Sequence, residues 1–286
     1  MKYCLSTYSF GHYLNDLGID GVIAKTAEMG FDGVEFVEAD WFLQASDGEL
    51  RRIGEAARAA GLARVNLCVG GDMLNGSDGD LDKEVERLCR MVDKAALLGT
   101  SMMRHDAAHP LQGRKYGLGY AYHLPRVAEG CRRVTEYAAK LGIRTLAENH
   151  GVFSQNADRV ASLIDAVDHP NFAALVDIGN FTDIDDDPVL SVSHLAPYAI
   201  HVHCKDVLLK KGTEIFPGEC WYPTYGGSFA RGTIIGHGDA RVSQSIGILK
   251  RAGYDGFLSV EYEGIEDNLL GIRISLDNLK RFWDMA

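Results

Sequence analysis

The stretch 143-IRTLAENHG-151 ends an apolar run in a carboxylate, an amide and an imidazole. Similar ends recur downstream: Asp177 closes AALVD, His201 and His203 sit in AIHVHCKD, and Glu261 follows FLSV. Glu148, Asp177, His203 and Glu261 thus supply three carboxylates and one imidazole. Gathered in one low-dielectric place, such groups repel unless a cation lies among them. A mixed oxygen and nitrogen set suits Mn²⁺, Mg²⁺, Co²⁺ or Zn²⁺ better than it suits a thiolate-bound structural metal. Side chains alternate along a strand, so His150 points to the same side as Glu148. It is not needed as a ligand and is a candidate general base.

These residues need elements that bring their ends together. Eight β-like runs, at 3–9, 33–38, 63–69, 101–107, 144–150, 172–179, 199–206 and 257–264, alternate with segments of helical apolar spacing such as 49–62, 84–99 and 126–142. Several of those segments end in glycine, as at Gly61, Gly99 and Gly142, which fits a left-handed helix cap. MGFDG at 29–33 returns loosely as AGYDG at 252–256, each before a strand. Eight alternating units, with no Gly-x-Gly-x-x-Gly turn after the first strand, predict an α/β fold: a single (β/α)8 barrel domain over residues 1–286, with an open doubly wound sheet as the alternative. Residues 207–241 form a connection far longer than the usual βα loop of about 2–6 residues. It carries Phe216, Trp221, Tyr222, Tyr225 and Phe229, which are placed to pack as a lid or to stack on a sugar ring or a flat aglycone.

The formal net charge is −11 and no basic run is present. A nucleic-acid or anionic-membrane partner is therefore not expected. The six cysteines show no Cys-x-x-Cys pair, so free thiols in a reducing cytoplasm are expected. No secretory leader is apparent at the start of the chain.

The ordered pieces LAENHG, ALVDIGN, IHVHCKD and LSVEYEG resemble the xylose-isomerase-like TIM barrels. That group includes sugar phosphate isomerases and epimerases, ketose 3-epimerases, hydroxypyruvate isomerase, inosose dehydratase and the catalytic subunits of C-glycoside deglycosidases. The resemblance implies that Glu148, Asp177, His203 and Glu261 bind one divalent metal, manganese first, with magnesium, cobalt or zinc as alternatives. It further implies that Glu148 and Glu261 act as an acid/base pair. A cation on a carbonyl and its neighbouring hydroxyl acidifies the C–H between them and stabilises an enediolate. The expected activity is isomerisation or epimerisation of a small keto sugar, with a lyase acting on an oxidised sugar as the alternative.

The sequence departs from the ketose epimerases at Ser154, Asn180 and Leu209, where that group places glutamate, histidine and arginine. A free ketohexose is accordingly a poor fit. The substrate-contacting candidates are His105, Asn180, Lys205 and Arg231. Lys205 is weighed against a simple ion pair with Asp206, and Gly236 and Gly238 against a tight turn. A homo-oligomer is expected, with a small partner subunit as an option.

Overall fold

The computed structural model describes residues 1–110 and 119–286. Seven strands come first: β1 (Lys2–Ser6), β2 (Gly33–Val37), β3 (Ala63–Val69), β4 (Met102–His105), β5 (Arg144–Glu148), β6 (Phe172–Asp177) and β7 (Ala199–Cys204). Then follow β8 (Asp206–Lys210), β9 (Tyr222–Pro223), β10 (Phe229–Thr233) and β11 (Phe257–Val260). Strands β1 to β7 and β11 close a barrel in the order β1-β11-β7-β6-β5-β4-β3-β2, each pairing parallel with its neighbours. The (β/α)8 expectation holds, and each predicted run overlaps one barrel strand.

The helices form because local signals and packing agree. Ser46 opens the helix Asp47–Ala59 with a capping box, its hydroxyl accepting from Glu49 N–H while the Glu49 carboxylate accepts from Ser46 N–H. Leu50, Ile53 and Ala57 on its inner face are buried, each large side chain contributing roughly 1.5–3 kcal/mol of apolar transfer. Gly54 sits on the same face, where a Cβ would lie 2.2 Å from the Leu98 carbonyl oxygen, so the close approach to the next helix requires glycine. That next helix, Leu81–Leu98, ends at Gly99 with φ 75°, a left-handed cap. Phe31 and Tyr254, from the two similar MGFDG and AGYDG turns, are both buried where a helix hands over to a barrel strand.

Apolar side chains fill two places. Most lie between the barrel and its helices, including Val34, Phe36, Val176, Val202 and Leu258. A smaller group, Cys4, Val65, Leu146 and Leu175 among it, plugs the barrel interior. Neighbouring residues in a parallel pair point the same way. Leu146 is inside, so Glu148 two residues on is inside above it. Arg104 pairs with Leu146 and is inside too, whereas His105 pairs with Ala147 and faces out.

The segment 207–241 is not a plain loop. Its start belongs to β8, and β8, β10 and β9 form a small antiparallel sheet beyond the barrel. Asp206 organises the return: its carboxylate accepts the backbone N–H groups of Gly236, Gly238, Ala240 and Val207 at 2.8–3.1 Å. Among the described residues, no helix is long and apolar enough to cross a membrane.

Candidate metal and substrate site

Glu148, Asp177, His203 and Glu261 meet at the C-terminal ends of β5, β6, β7 and β11. Each offers one ligand atom, and the four atoms lie within 4.8 Å of one another. His203 Nδ1 is 3.4 Å from Glu261 Oε1, 3.5 Å from Glu148 Oε1 and 3.9 Å from Asp177 Oδ2. Asp177 is aimed by its turn, since Oδ1 accepts the N–H groups of Gly179 and Asn180 at 2.7 and 3.0 Å. That leaves Oδ2 for the cluster. Asp177 Oδ2 and His203 Nδ1 are both buried without a hydrogen-bond partner, a costly state for a carboxylate oxygen and an imidazole nitrogen. Burial pushes the Asp177 carboxyl well above its ordinary value, and Glu261 and Glu148 push the same way against the pull of Lys205. Two orphaned donor atoms aimed at one point, amid crowded carboxylates, fit a divalent cation.

His203 is held from behind. Its Nε2 lies 2.7 Å from Glu35 Oε1, and His201 Nε2 lies 2.7 Å from Glu35 Oε2. Asn66 Nδ2 donates to Glu35 Oε2 at 3.0 Å. Glu35 is fully buried. Burial raises its carboxyl, but the two imidazoles outweigh that and hold it below the usual carboxylate range. An anion here takes the proton-bearing Nε2 of His203, which presents Nδ1 as a lone pair to the cluster.

A second chain of contacts orients His150. Its Nδ1 lies 2.8 Å from Asp106 Oδ1, and Asp106 Oδ1 is 2.9 Å from Arg104 Nη2. Arg104 Nε is 2.5 Å from Glu148 Oε2, close enough for charge pairing although its N–H is poorly aligned for a hydrogen bond. Burial raises Asp106, and Arg104 followed by His150 outweighs it, so the carboxylate stays ionised. Burial pulls the His150 imidazole down, yet the Asp106 contact sets it above its ordinary value. The ring remains 43% exposed.

Lys205 completes the mouth. Its Nζ lies 3.4 Å from each of Asp177 Oδ2, Glu261 Oε2 and Glu263 Oε1. Burial opposes its charge, but Asp177, Glu263 and Glu261 more than compensate and keep the ammonium protonated. The resulting cavity, about 200 Å³, is lined by Tyr8, Arg104, Glu148, His150, Asn180, His203, Lys205, Glu261 and Glu263 among others.

Most of the predicted residues therefore converge, and two do not. His105 faces away from the mouth, fully buried against Phe172 at 6.4 Å between ring centroids. Strand alternation puts Arg104 there instead. Arg231 on β10 does not line the cavity; its guanidinium stacks over Trp221 at 5.5 Å. Asn180 is at the site and donates to Glu148 Oε1 at 3.1 Å. Lys205 and Asp206 are not partners, because one turns to three carboxylates and the other to four backbone N–H groups. Sequence reasoning assigned no role to Tyr8, Glu35, Arg104, Asp106 or Glu263. For Glu35 and Arg104 the signal was a charged residue inside an apolar strand, in GVEFV and in MMRH.

The family described as xylose isomerase-like TIM barrel matches residues 23–282. The chain belongs to that family. A 3-dehydroshikimate dehydratase of Bacillus anthracis is 24% identical over 213 residues, 72% of each chain. The crystal structure of a probable 3-DHS dehydratase of Bacillus anthracis superposes with a TM-score of 0.73 at 21% identity, covering 97% of this chain and 99% of that one. An L-ribulose 3-epimerase structure gives 0.75 at 17% identity, over 100% and 95%. The similar proteins thus include an epimerase and a dehydratase, and this chain carries a side-chain cluster able to hold a metal ion.

Proposed function

We propose that the chain is a divalent-metal-dependent lyase that removes a proton next to the carbonyl of a neutral keto sugar or keto cyclitol and expels a β-substituent. The observation that carries this reading is the single oriented base: His150, fixed through Nδ1 by Asp106, with Nε2 left for the substrate. Glu148, Asp177, His203 and Glu261 would hold the ion. When bound, a divalent cation there supplies Lewis acidity to a substrate carbonyl.

The chain's own groups do the rest. His150 Nε2 takes the proton from carbon, and Asp106 stabilises the imidazolium that forms. The C–X electron pair leaves with the β-substituent, which receives the proton back from His150, so the net change is loss of HX. The Lys205 ammonium donates to an oxygen of the reacting sugar. Relocating a proton to the opposite face needs a second free base, and none is well placed among the described residues. Glu148 is engaged at Oε1 by Asn180 and at Oε2 by Arg104, and Glu261 Oε2 lies against Lys205. The 3-dehydroshikimate dehydratase relative supports elimination chemistry.

The charge balance favours a neutral substrate. Among the described lining residues the cations are Arg104 and Lys205, both already beside carboxylates. Among the described residues, a carboxylated or phosphorylated sugar finds no spare cation in this lining apart from the metal.

Isomerisation or epimerisation is the second reading, favoured by Glu148 and Glu261 flanking His203 Nδ1 at similar distances. The test is to incubate manganese-loaded protein with neutral 3-keto glycosides and keto cyclitols in D₂O and follow them by NMR. Elimination product without an epimeric sugar, slowed about 10²- to 10⁴-fold in His150→Ala, supports the lyase. Deuterium next to the carbonyl in two interconverting sugars, unaffected by His150→Ala, overturns it.

A further inference from the structure

The metal cavity, about 200 Å³, is smaller than the roughly 300–1,000 Å³ of ordinary ligand sites. Taken alone it encloses little more than the reacting ring. His150 also lines a neighbouring void of about 380 Å³, together with Val152, Gln155, Asp183, Tyr222 and Thr224. Of the five aromatics in the long connection, Tyr222 and Tyr225 line this void. Phe216 and Phe229 pack on each other, and Trp221 takes the Lys210 and Arg231 cations.

The outer wall of the void is strand β9 and the turn after it, latched onto the connection that follows β6. Tyr222 Oη donates to Asp183 Oδ1 at 3.0 Å, Tyr225 N–H to the Asp183 carbonyl at 2.7 Å, and Gly226 N–H to Asp185 Oδ2 at 2.7 Å. In the barrel β6 lies between β5, which leads to His150, and β7, which leads to Lys205. Asp183 and Tyr222 therefore sit over the mouth between the base and the ammonium. The charges around them agree with that place. Burial first, then Asp183, push the Tyr222 phenol up, Lys205 pulls it down, and Glu263 adds to the rise.

The polar groups of the void are partly unspent. Asp183 Oδ1 holds the Tyr222 phenol, which leaves Oδ2 as an acceptor. Tyr222 Oη, having donated, keeps its lone pairs. Thr224 is 6% exposed and its hydroxyl is buried without a partner, a state that favours any ligand able to supply one. Gln155 is fully engaged: its Oε1 accepts Val152 N–H at 2.7 Å and its amide bonds the Asn180 carbonyl. That clamp holds Val152 at φ 63°, a conformation costly for a β-branched residue. Strain kept in place two residues past the candidate base marks a segment shaped for a ligand. A carboxylate oxygen, a phenol oxygen and a hydroxyl around one void match a ligand with several hydroxyls, since each hydroxyl both donates and accepts.

Resting on the reading that the metal cavity holds the reacting sugar, we infer that this void is a subsite for a second, saturated, hydroxyl-rich ring joined to the first. The substrate is then a keto disaccharide. Its keto ring sits over Glu148 and His150, and Asp183 and Tyr222 grip hydroxyls of the outer ring. The bond that breaks is the glycosidic C–O bond. Its electron pair leaves on oxygen, which takes the proton from His150, and the products are a free sugar and an unsaturated keto sugar.

The test is titration of glucose and of four glucose disaccharides, sophorose, laminaribiose, cellobiose and gentiobiose, into the manganese-loaded whole protein, followed by saturation-transfer NMR. The subsite predicts that at least one disaccharide binds about tenfold tighter than glucose, the scale of one hydrogen bond to a charged group. Asp183→Asn and Tyr222→Phe each remove most of that advantage and leave glucose within twofold of the wild type. No disaccharide binding tighter than glucose, or an advantage that survives both substitutions, overturns it. An Asp183-dependent advantage in a protein that takes up no metal sinks the lyase reading and keeps the subsite. Elimination from a methyl 3-keto glucoside without any disaccharide advantage does the reverse.

Discussion

Replacing Glu35 by glutamine tests how His203 is set up, and the outcome follows from one chain of hydrogen bonds. Arg104 N–H donates to Asn66 Oδ1 at 3.1 Å. That fixes the Asn66 amide with Nδ2 toward Glu35 Oε2, 3.0 Å away. A glutamine at 35 must place its carbonyl oxygen at that position, because its own NH₂ would otherwise face the Asn66 NH₂. Its NH₂ then takes the place of Oε1, 2.7 Å from His203 Nε2. His203 accepts that bond only by shifting its proton to Nδ1, the atom aimed at Glu148 and Glu261. A partner of this kind is worth about 10- to 100-fold in metal affinity, or about 1.4–2.8 kcal/mol. The substitution conserves volume, so the fold persists with a loss of about 1–3 kcal/mol from a weakened charged hydrogen-bond set. Calorimetric titration of the chelator-treated variant with Mn²⁺ measures the effect, with circular dichroism checking the fold. A folded variant that binds Mn²⁺ within twofold of the wild type refutes the tautomer argument.

Other perturbations have equally definite outcomes. Arg104→Met leaves Glu148 and Asp106 buried without their shared cation, so the metal-free protein loses about 3–5 kcal/mol in urea unfolding, and added Mn²⁺ restores part of it. Asp106→Asn leaves His150 without its anionic partner, and turnover falls at least tenfold while retained metal stays at wild-type level. Val152→Asn relieves the positive φ and raises stability by about 1 kcal/mol, seen as a higher Tm. The Glu84 carboxylate accepts from Asp72 N–H, the Ser77 hydroxyl and Arg87. Burial raises it, but those partners outweigh burial and its folded value lies below 4.5. Its stabilisation is full above that pH and fades as pH falls through the folded value. Glu84→Gln is therefore destabilising at pH 7, and the gap closes on acidification.

The barrel was legible because each strand is a short apolar run bounded by a helix-ending glycine or a polar end, and the count of eight such units, without a dinucleotide-type glycine turn, favours a closed barrel over an open sheet. The four clustered residues were legible for a related reason: polar groups at strand ends in a barrel all point to one mouth. The error at His105 came from reading strand four without its register. Alternation alone allows either Arg104 or His105 inside, and only the pairing of Arg104 with the inward Leu146 decides it. Glu35 was visible as a charge within GVEFV, but its service to two histidines of β7 needs the barrel closed, since 166 and 168 residues separate the partners. The sheet made by β8, β9 and β10 escaped notice because glycines and a proline punctuate its connections and β9 is only two residues long. Strand β8 is anchored by Asp206 and by antiparallel pairing with β10, a partner separated from it by a long connection.

The claim on which the rest depends is that Glu148, Asp177, His203 and Glu261 hold one divalent ion. Elemental mass spectrometry of protein purified without chelator, beside Glu148→Gln purified the same way, tests it directly. The account predicts close to one ion of Mn, Mg, Co or Zn per chain in the wild type and a small fraction of that in the variant. A wild-type protein that carries no such ion and takes up none from added Mn²⁺, or a variant that retains a full equivalent, would contradict it.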